Sequence, residues 1–323
     1  MSCAFEPYNK EDLLNRTAVR GGEKKLGQVL NTLDPEALNG SPIPYKFVII
    51  GVEEDYGVRG NLGRGGAHRA FEAFLRAFCN LQDNRFFPTD QVAVLGALVA
   101  TGQPADAAGL HSATAAVDAE LSTWVEKVVA AGATPIVIGG GHNNAYGCLK
   151  GSALGRSKPV HCLNVDAHTD LRALEGRHSG NGFSYALEDG HLAKYFMMGL
   201  QENYTPEYIW ERIENDDRIQ CATREDEVSG EVPIIEVLDL IHAHLGHEFA
   251  IELDVDVIAN FPSSAQSPSG YTLDEIREVF YALDTTPPYI HLCEGRVVDD
   301  ESSAHVGKGL ALLVADAIKA YVH

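Results

Sequence analysis

Residues 162–170 read CLNVDAHTD, an apolar run typical of a buried strand that is followed by Asp166, His168 and Asp170. Side chains two positions apart in an extended chain project to the same side, so all three would reach one point at the strand's end. Carboxylates and an imidazole grouped in this way indicate a metal ion. A polar loop leaving a strand is the alternative, and partner residues elsewhere in the chain decide between the two.

Two further apolar runs end in residues of the same kind. Residues 135–142 read PIVIGGGH and deliver His142 after three glycines, which let the backbone turn tightly. Residues 249–256 read FAIELDVD and end with Asp254 and Asp256. Because the carboxyl ends of parallel strands lie along one edge of a sheet, where ligands bind, all these side chains would meet in one crevice.

The expected set contains four carboxylates, two imidazoles and no cysteine. Such a hard, oxygen-rich site favours Mn²⁺ or a similar ion over structural zinc. Four aspartate charges balance two divalent cations, which at about 3.5–4 Å from each other lower the pKa of a shared water. The implied reaction is hydrolysis, and the chain has no segment that resembles a nucleophile elbow.

Composition restricts the partners and the compartment. A formal charge of −21 and a pI near 4.9 argue against nucleic acid and against an anionic membrane surface. The six cysteines are scattered without a C-x-x-C pair, which indicates reduced cysteines in a cytoplasmic protein. No signal peptide and no run long enough to span a membrane is recognisable in the sequence.

Apolar runs and helical patterns alternate along the chain, which predicts an α/β fold with a parallel sheet and helices on both faces. The 323 residues show no linker that would divide them, so residues 1–323 are expected to form a single domain. Helix spacing covers residues 66–81, 113–131, 272–283 and 307–321. The predicted strands, about eight in number, are 45–52, 92–99, 135–138, 160–165, 195–200, 219–222, 249–257 and 289–293.

The strings GGGH (139–142), DAHTD (166–170) and DVD (254–256), in that order, resemble the signature of the ureohydrolase family of arginases, agmatinases and formimidoylglutamases. The resemblance implies a three-layer α/β/α arginase-like fold with a central parallel sheet of eight strands, and a homo-oligomer. It also implies two Mn²⁺ ions per subunit. One ion would be held by His142, Asp166, Asp170 and Asp254, and the other by Asp166, His168, Asp254 and Asp256.

Residues near the metal ligands bear on the substrate. Arg172 continues the motif as DAHTDLR, which resembles the formimidoylglutamase version, and its planar guanidinium suits a substrate carboxylate. The glycine-rich segment 55–67 resembles the N-terminal loop of that subfamily and offers Asn61 and Arg64 as substrate contacts. A flexible connection is the other reading of this segment, and the lack of a Lys-Ser/Thr ending argues against a phosphate-binding P-loop.

The segment 177–184, RHSGNGFS, stands where the family carries its substrate loop. Asn181 is a candidate substrate contact in this loop. Arginases and agmatinases have a proton-shuttling histidine in the register of Ser179, so the general acid stays open, with His178 as a candidate. Glu294, after the last predicted strand, matches the family glutamate that receives the amidinium or guanidinium, and a carboxylate is the right charge for that role. Asp170 would orient the attacking hydroxide.

The leading hypothesis is hydrolysis of a small-molecule amidine that carries a carboxylate, N-formimidoyl-L-glutamate, to L-glutamate and formamide by a hydroxide that bridges two Mn²⁺ ions. One alternative is a guanidino-compound hydrolase that releases urea. Another is a non-catalytic binding protein with the same fold. The turn after Asp256 lacks the family's usual aspartate-proline pair, so the wall of the pocket is expected to differ there.

Overall fold

The computed structural model describes residues 2–323, and its ten strands form one sheet. The strands are β1 (Ser2–Pro7), β2 (Asn31–Thr32), β3 (Phe47–Glu53), β4 (Val92–Thr101), β5 (Thr134–Ile138), β6 (Val160–Val165), β7 (Leu192–Leu200), β8 (Ile219–Thr223), β9 (Ala250–Asp254) and β10 (Ile290–Cys293). Their order is β1-β4-β3-β5-β10-β9-β6-β7-β8, with β2 beside β4. All eight predicted strands are present.

Three features of the sheet differ from the prediction, the first of which is the unpredicted two-residue strand β2 beside β4. β1 pairs with β4 in the antiparallel direction and closes one edge, although Glu6 and Pro7 obscured its strand character in the sequence. β9 ends at Asp254 rather than at residue 257, because the Asp254 side chain accepts a hydrogen bond from the Asp256 backbone amide (2.8 Å). That bond starts a 3₁₀ turn over Val255–Val257. The pairings of β2 to β10 with one another are parallel.

The α-helices are α1 (Lys10–Asn15), α2 (Leu26–Val29), α3 (Tyr56–Gly60), α4 (Ala70–Cys79), α5 (Ala107–Ala130), α6 (Asn144–Arg156), α7 (Gly182–Glu188), α8 (Glu207–Asn215), α9 (Arg224–Ser229), α10 (Ile234–Leu245), α11 (Leu273–Ala282) and α12 (Asp300–Tyr321). The four predicted helices correspond to α4, α5, α11 and α12. α11 begins with the capping box formed by Thr272 and Glu275. α12 begins seven residues earlier than predicted, where the Asp299 side chain caps the Ser302 amide at 2.8 Å.

The hydrophobic core lies on both faces of the sheet. Alternate residues of β3 divide between the two sides: Phe47 and Ile49 pack in one cluster, Val48 and Ile50 in the other. The first cluster includes buried residues of α4, α10, α11 and α12, and the second includes those of α5, α6 and α7. The result is a three-layer α/β/α arrangement around a largely parallel sheet, as the sequence predicted.

Strand order explains why distant motifs meet. β5, β10, β9 and β6 are consecutive neighbours in the sheet, although they are far apart in the chain. His142 follows β5, Glu294 follows β10, Asp254 ends β9 and Asp166 follows β6. All four are therefore at the carboxyl edge of the sheet, where open parallel sheets bind ligands. Within residues 2–323, no helix has the length and apolar character needed to cross a membrane.

Candidate metal centre

The structure brings five of the six expected metal ligands together in two overlapping groups, and the sixth, Asp254, lies next to His142. His142, Asp166 and Asp170 form one, and Asp166, His168 and Asp256 form the other; within each, one potential ligand atom per residue lies within 4.8 Å of the others. Asp166 belongs to both groups. Asp166 would therefore help to hold each of two ions.

The distances place the carboxylates around two imidazole nitrogens. His142 Nδ1 is 3.1 Å from Asp166 Oδ2, 2.9 Å from Asp170 Oδ2 and 3.4 Å from Asp254 Oδ2. His168 Nδ1 is 3.0 Å from Asp256 Oδ2 and 3.5 Å from Asp166 Oδ1. Each imidazole thus directs Nδ1 at several carboxylate oxygens, which is the arrangement expected of side chains that share a cation.

The polar atoms of this cluster are incompletely satisfied by the protein alone. Both ring nitrogens of His142 and the Oδ1 atom of Asp256 are buried without a hydrogen-bond partner among the described residues. Burial raises the pKa of Asp254 well above its usual range, and the carboxylates of Asp256 and Asp166 raise it further. Carboxylates packed this closely repel one another, and two divalent cations would offset their charge. The oxygen and imidazole donors fit Mn²⁺.

A cysteine also lies near the cluster, which the sequence did not predict. Cys293 forms a potential ligand group with His142 and Asp254. Burial raises the pKa of its thiol well above the usual range, and the thiol donates to the Leu253 carbonyl at 3.7 Å. The thiol hydrogen is thus engaged by a backbone carbonyl, and the other candidate ligands of the cluster are carboxylate oxygens and imidazole nitrogens.

Glu252, on β9, lies next to His142 and was not identified from the sequence. Its Oε2 atom is 3.6 Å from His142 Nε2 and 2.6 Å from His291 Nδ1, and its Oε1 accepts from the Tyr289 hydroxyl at 2.7 Å. Although burial opposes ionisation, the neighbouring His291 lowers the pKa of Glu252 to about 2. The signal in the sequence was a charged residue inside an apolar strand, two positions before Asp254.

Glu54 holds the turn that carries His142. Its Oε1 atom accepts from the Gly141 amide (3.0 Å) and from the side-chain amides of Asn143 (3.1 Å) and Asn144 (2.9 Å). Gly140 has φ +69°, and a Cβ there would lie 2.2 Å from Asn144 Nδ2 and 2.9 Å from Glu54 Oε1. Glycine is thus required both by the left-handed backbone and by the closely packed carboxylate.

A cavity of about 390 Å³ opens directly above the cluster. Of the predicted substrate-binding and catalytic residues, Asn61, Asp170, Arg172 and Glu294 line it, whereas Arg64, His178 and Asn181 are not among the lining residues. The full lining consists of Asn61, Gly63, His168, Thr169, Asp170, Arg172, Ser179, Tyr204, Pro206, Tyr208, Ile209, Asp254, Asp256, Ser264, Ala265 and Glu294.

The aromatic residue on one side of this cavity and the residues that form its opposite wall were not identified from the sequence. Tyr204 stacks on the ring of His168, with ring centres 5.3 Å apart, and its hydroxyl is 3.3 Å from Ser267 Oγ. Ser264 and Ala265 come from the turn after Asp256, the segment in which the sequence departs from the family pattern.

Glu294 lies at the floor of the cavity with one oxygen occupied. Its Oε1 atom accepts from the His142 backbone amide at 2.8 Å, while Oε2 is buried without a hydrogen-bond partner in the described part of the chain. Burial raises the pKa of Glu294 to about 7. Its backbone has φ +65°, and that of Asp170 has φ +47°, so two cavity residues adopt a conformation unusual for side chains with a Cβ.

The three residues that lie outside the cavity are engaged elsewhere. Arg64 donates to the carbonyls of Ser264 (3.0 Å) and Ser263 (3.4 Å), which attaches its loop to the opposite wall. His178 is buried; its Nδ1 accepts from the Gly180 amide at 3.1 Å and its Nε2 is 3.3 Å from Glu175. The geometry therefore gives no support to substrate contact by Arg64 or to proton transfer by His178.

Asn181 is likewise fully engaged within its own loop. Its Oδ1 atom accepts from Arg177 and from the His178 amide, and its Nδ2 donates to the Ala173 and Gly176 carbonyls. No donor or acceptor remains for a substrate. Its position in a loop next to the cavity suggested contact, but its side chain turns into the loop and holds the loop's shape.

Comparison with known proteins places this geometry in a wider group. A family model described as the Arginase family matches residues 45–292. A formimidoylglutamase of Chromobacterium violaceum is 31% identical over 250 residues, which are 73% of this chain and 73% of that protein. A formimidoylglutamase of a Geobacillus species is 27% identical over 288 residues, 86% of this chain and 83% of that protein.

Solved structures share the fold at lower identity. A crystal structure of Trypanosoma cruzi formiminoglutamase with Mn²⁺ superposes with a TM-score of 0.71 and 20% identity, covering 91% of this chain and 98% of that one. The formimidoylglutamase of Bacillus subtilis gives a TM-score of 0.74 at 17% identity, covering 94% of this chain and 93% of that one. At these identities the structural likeness establishes the fold alone.

Proposed function

The chain belongs to the arginase family, and from that premise we propose that it hydrolyses N-formimidoyl-L-glutamate with the help of two Mn²⁺ ions. Curated relatives with the name formimidoylglutamase support the substrate. The observation that carries the proposal is the polarity of the cavity. Its floor is anionic, and Arg172 is the only arginine or lysine among the lining residues that the structure describes. A substrate with a cationic amidine at one end and carboxylates at the other matches this arrangement.

The two ions would be held by the six ligands in the sets expected from the sequence. His142, Asp166, Asp170 and Asp254 would hold one, and Asp166, His168, Asp254 and Asp256 would hold the other. When bound, such ions lower the pKa of water towards neutrality and stabilise negative charge that develops on the attacked group. The Mn²⁺ that accompanies the Trypanosoma cruzi formiminoglutamase in its crystal structure supports manganese as the metal.

Glu294 would bind the amidinium end of the substrate. Its Oε1 atom is already fixed by the His142 amide, so the carboxylate cannot rotate freely, and its Oε2 atom is the one without a partner. A planar amidinium donates N–H bonds in fixed directions, and a held carboxylate oxygen therefore orients the formimino carbon over the metal ligands.

Arg172 would bind a carboxylate of the glutamate portion. It lines the cavity while remaining exposed, and its backbone amide donates to the Gly180 carbonyl at 2.9 Å. Asn61 and Ser179, linked by a 3.2 Å hydrogen bond, offer further polar atoms on the same wall. An amidine without carboxylates would lose the contact with Arg172 but keep the one with Glu294.

The reaction that follows is balanced. Water adds its oxygen to the formimino carbon, and the bond from that carbon to the glutamate nitrogen breaks, which gives formamide and glutamate. Both protons of the water end on the departing nitrogen, which leaves as the ammonium group of glutamate, while formamide keeps the two protons of the amidinium NH2 group. We assign the proton transfer to the carboxylate of Asp170, because Asp170 lines the cavity whereas His178 does not.

The remaining parts of the proposal concern organisation. That residues 1–323 form one domain is supported by the single sheet that all ten strands join. Homo-oligomerisation and a cytoplasmic location stay predictions. The six cysteines are free in the structure.

The decisive assay compares three substrates. Protein loaded with Mn²⁺ is incubated with N-formimidoyl-L-glutamate, arginine and agmatine, and formamide, glutamate and urea are measured. We expect formamide and glutamate from the first and no urea from the others. Glu294→Gln serves as a variant that retains shape but loses the carboxylate. Release of urea alone would refute the assignment, and absence of all products would favour a binding protein.

A further inference from the structure

Arg177 is a buried cation that has no role in the proposed metal binding, substrate binding or hydrolysis. Its side chain is 7% exposed, and its guanidinium lies between the rings of Tyr146 on α6 and Tyr185 on α7, 4.9 and 4.8 Å from their centres. Placing a guanidinium there carries a large desolvation cost unless its donors are all well paired. The hydrogen-bond partners of the guanidinium therefore indicate the role of Arg177.

The guanidinium of Arg177 connects three separate parts of the chain. Its Nε atom donates to Asp118 Oδ2 on α5 at 2.8 Å. Its Nη1 donates to Asn181 Oδ1 at 2.5 Å, and its Nη2 donates to the Asn143 carbonyl at 3.0 Å. The planar group with five donors can satisfy three acceptors in fixed directions, which a lysine ammonium on a flexible stem cannot do in the same way.

Two of these acceptors belong to functional segments. Asn143 directly follows His142, and its side chain donates to Glu54, so it is part of the turn that presents the metal ligand. Asn181 holds the loop 178–181 by accepting from the His178 amide at 3.1 Å and donating to the Gly176 carbonyl at 2.7 Å. Arg177 thus joins the metal-binding turn to this loop.

The loop 178–181 contributes to the polar wall of the cavity and contacts the other residues of that wall. Ser179 lines the cavity and accepts from Asn61 Nδ2 at 3.2 Å. The Arg172 amide donates to the Gly180 carbonyl at 2.9 Å, and a Cβ on Gly180 would lie 3.0 Å from Arg172 Cδ. A displacement of the loop would therefore move Asn61, Arg172 and Ser179 together.

We propose that Arg177 is a positioning residue that fixes the carboxylate-binding wall of the cavity relative to the metal centre. It acts through Asn181 and Asn143 and is anchored by Asp118. As far as it concerns substrate, the inference rests on the proposed function. Arg177 would control substrate selectivity, which here means the preference for amidines that carry carboxylates. It would not control metal binding or the chemical step.

The kinetic test compares Arg177→Lys with a matched control, Arg224→Lys. Arg224 also lies over a tyrosine ring (Tyr271, 4.4 Å) and pairs with a carboxylate (Glu227, 2.9 Å), but it is not among the residues that line the cavity. For Arg177→Lys we expect kcat/KM for N-formimidoyl-L-glutamate to fall roughly ten- to a hundredfold, mainly through KM, as for a misplaced substrate contact. Bound manganese and turnover of N-methylformamidine, which has no carboxylate, should match the control.

A second measurement needs no substrate. Hydrogen exchange of the backbone amides of residues 172–182 should be faster in Arg177→Lys than in the wild type and in Arg224→Lys, whereas the exchange of β6 and β9 should not change. If the wild type hydrolyses neither amidine, the proposed function fails and the exchange result still judges the positioning role. If Arg177→Lys does not fold, Asp118→Asn should show the same selective effects in smaller size.

Two outcomes would overturn the inference. One is exchange and selectivity in Arg177→Lys that do not differ from those in Arg224→Lys. The other is a loss of manganese together with an equal loss of activity on both amidines, which would show a general structural role.

Discussion

Replacing Arg172 by glutamine should separate recognition of the substrate carboxylate from the hydrolysis itself. A hydrogen bond to a charged group contributes about 1.5–3 kcal/mol. Arg172 is exposed, so water weakens the interaction and we take the lower end, about 1.5 kcal/mol, for the contact. Since about 1.4 kcal/mol corresponds to a tenfold change, kcat/KM for N-formimidoyl-L-glutamate should fall roughly tenfold.

The assay measures formamide release from N-formimidoyl-L-glutamate and from N-methylformamidine at several ionic strengths. The loss should be confined to the first substrate, and the advantage of the wild type should shrink as salt screens the contact. Arg20→Gln, a change at an exposed arginine that is not among the cavity residues, is the control. Equal loss on both substrates, or no loss on either, would refute the role given to Arg172.

Three further changes test other parts of the account. Asp254→Asn should lower the manganese retained after dialysis, measured by mass spectrometry, and reduce kcat by roughly a hundredfold or more, because it removes one anionic ligand from both ions. Gly180→Ala would place a Cβ 2.9 Å from Asn61 Nδ2 and 3.0 Å from Arg172 Cδ. It should raise KM severalfold with unchanged manganese content, since overpacking costs about 1 kcal/mol or more. Burial raises the pKa of Asp118 from 3.8 to about 6 in the folded protein. Between pH 3.8 and about pH 6 the folded state therefore binds more protons than the unfolded state, and its stability falls as the pH rises through this interval. The free energy of unfolding, measured in urea at pH 4 and at pH 7, should therefore fall less in Asp118→Asn than in the wild type. The two losses should differ by about 3 kcal/mol at most. An equal loss in both proteins would contradict the raised pKa.

The strands and the clustering of the candidate metal ligands were predictable because both depend on local pattern. Apart from β8, an edge strand in which Gln220 is exposed, the predicted strands are largely apolar runs that the sheet buries on both faces, so their signal needs no knowledge of distant contacts. Asp166, His168 and Asp170 follow one such run at alternate positions, and parallel strands necessarily bring their carboxyl ends to one edge. β1 was missed because Glu6 and Pro7 interrupt its short apolar run, and β2 was missed because it has only two residues.

Loop residues were harder to predict, because their side-chain directions depend on tertiary contacts. His178 and Asn181 are polar residues close to the cavity in sequence, yet both turn into their own loop. Arg64 was expected at the substrate, but the carbonyls of a turn 200 residues away accept its hydrogen bonds. Glu54 and Glu252 show the reverse case: Glu252 stands out as a charged residue inside an apolar strand, but only the fold shows that both glutamates lie next to His142 and its turn.

The central claim is that two ions share the cluster at the carboxyl edge of the sheet. Anomalous diffraction from crystals grown with Mn²⁺, recorded at the manganese edge, tests it most directly. We predict two peaks on either side of the Asp166 carboxylate, one in contact with His142 and Asp170 and the other with His168 and Asp256. A single peak, or none at these residues, would contradict the account.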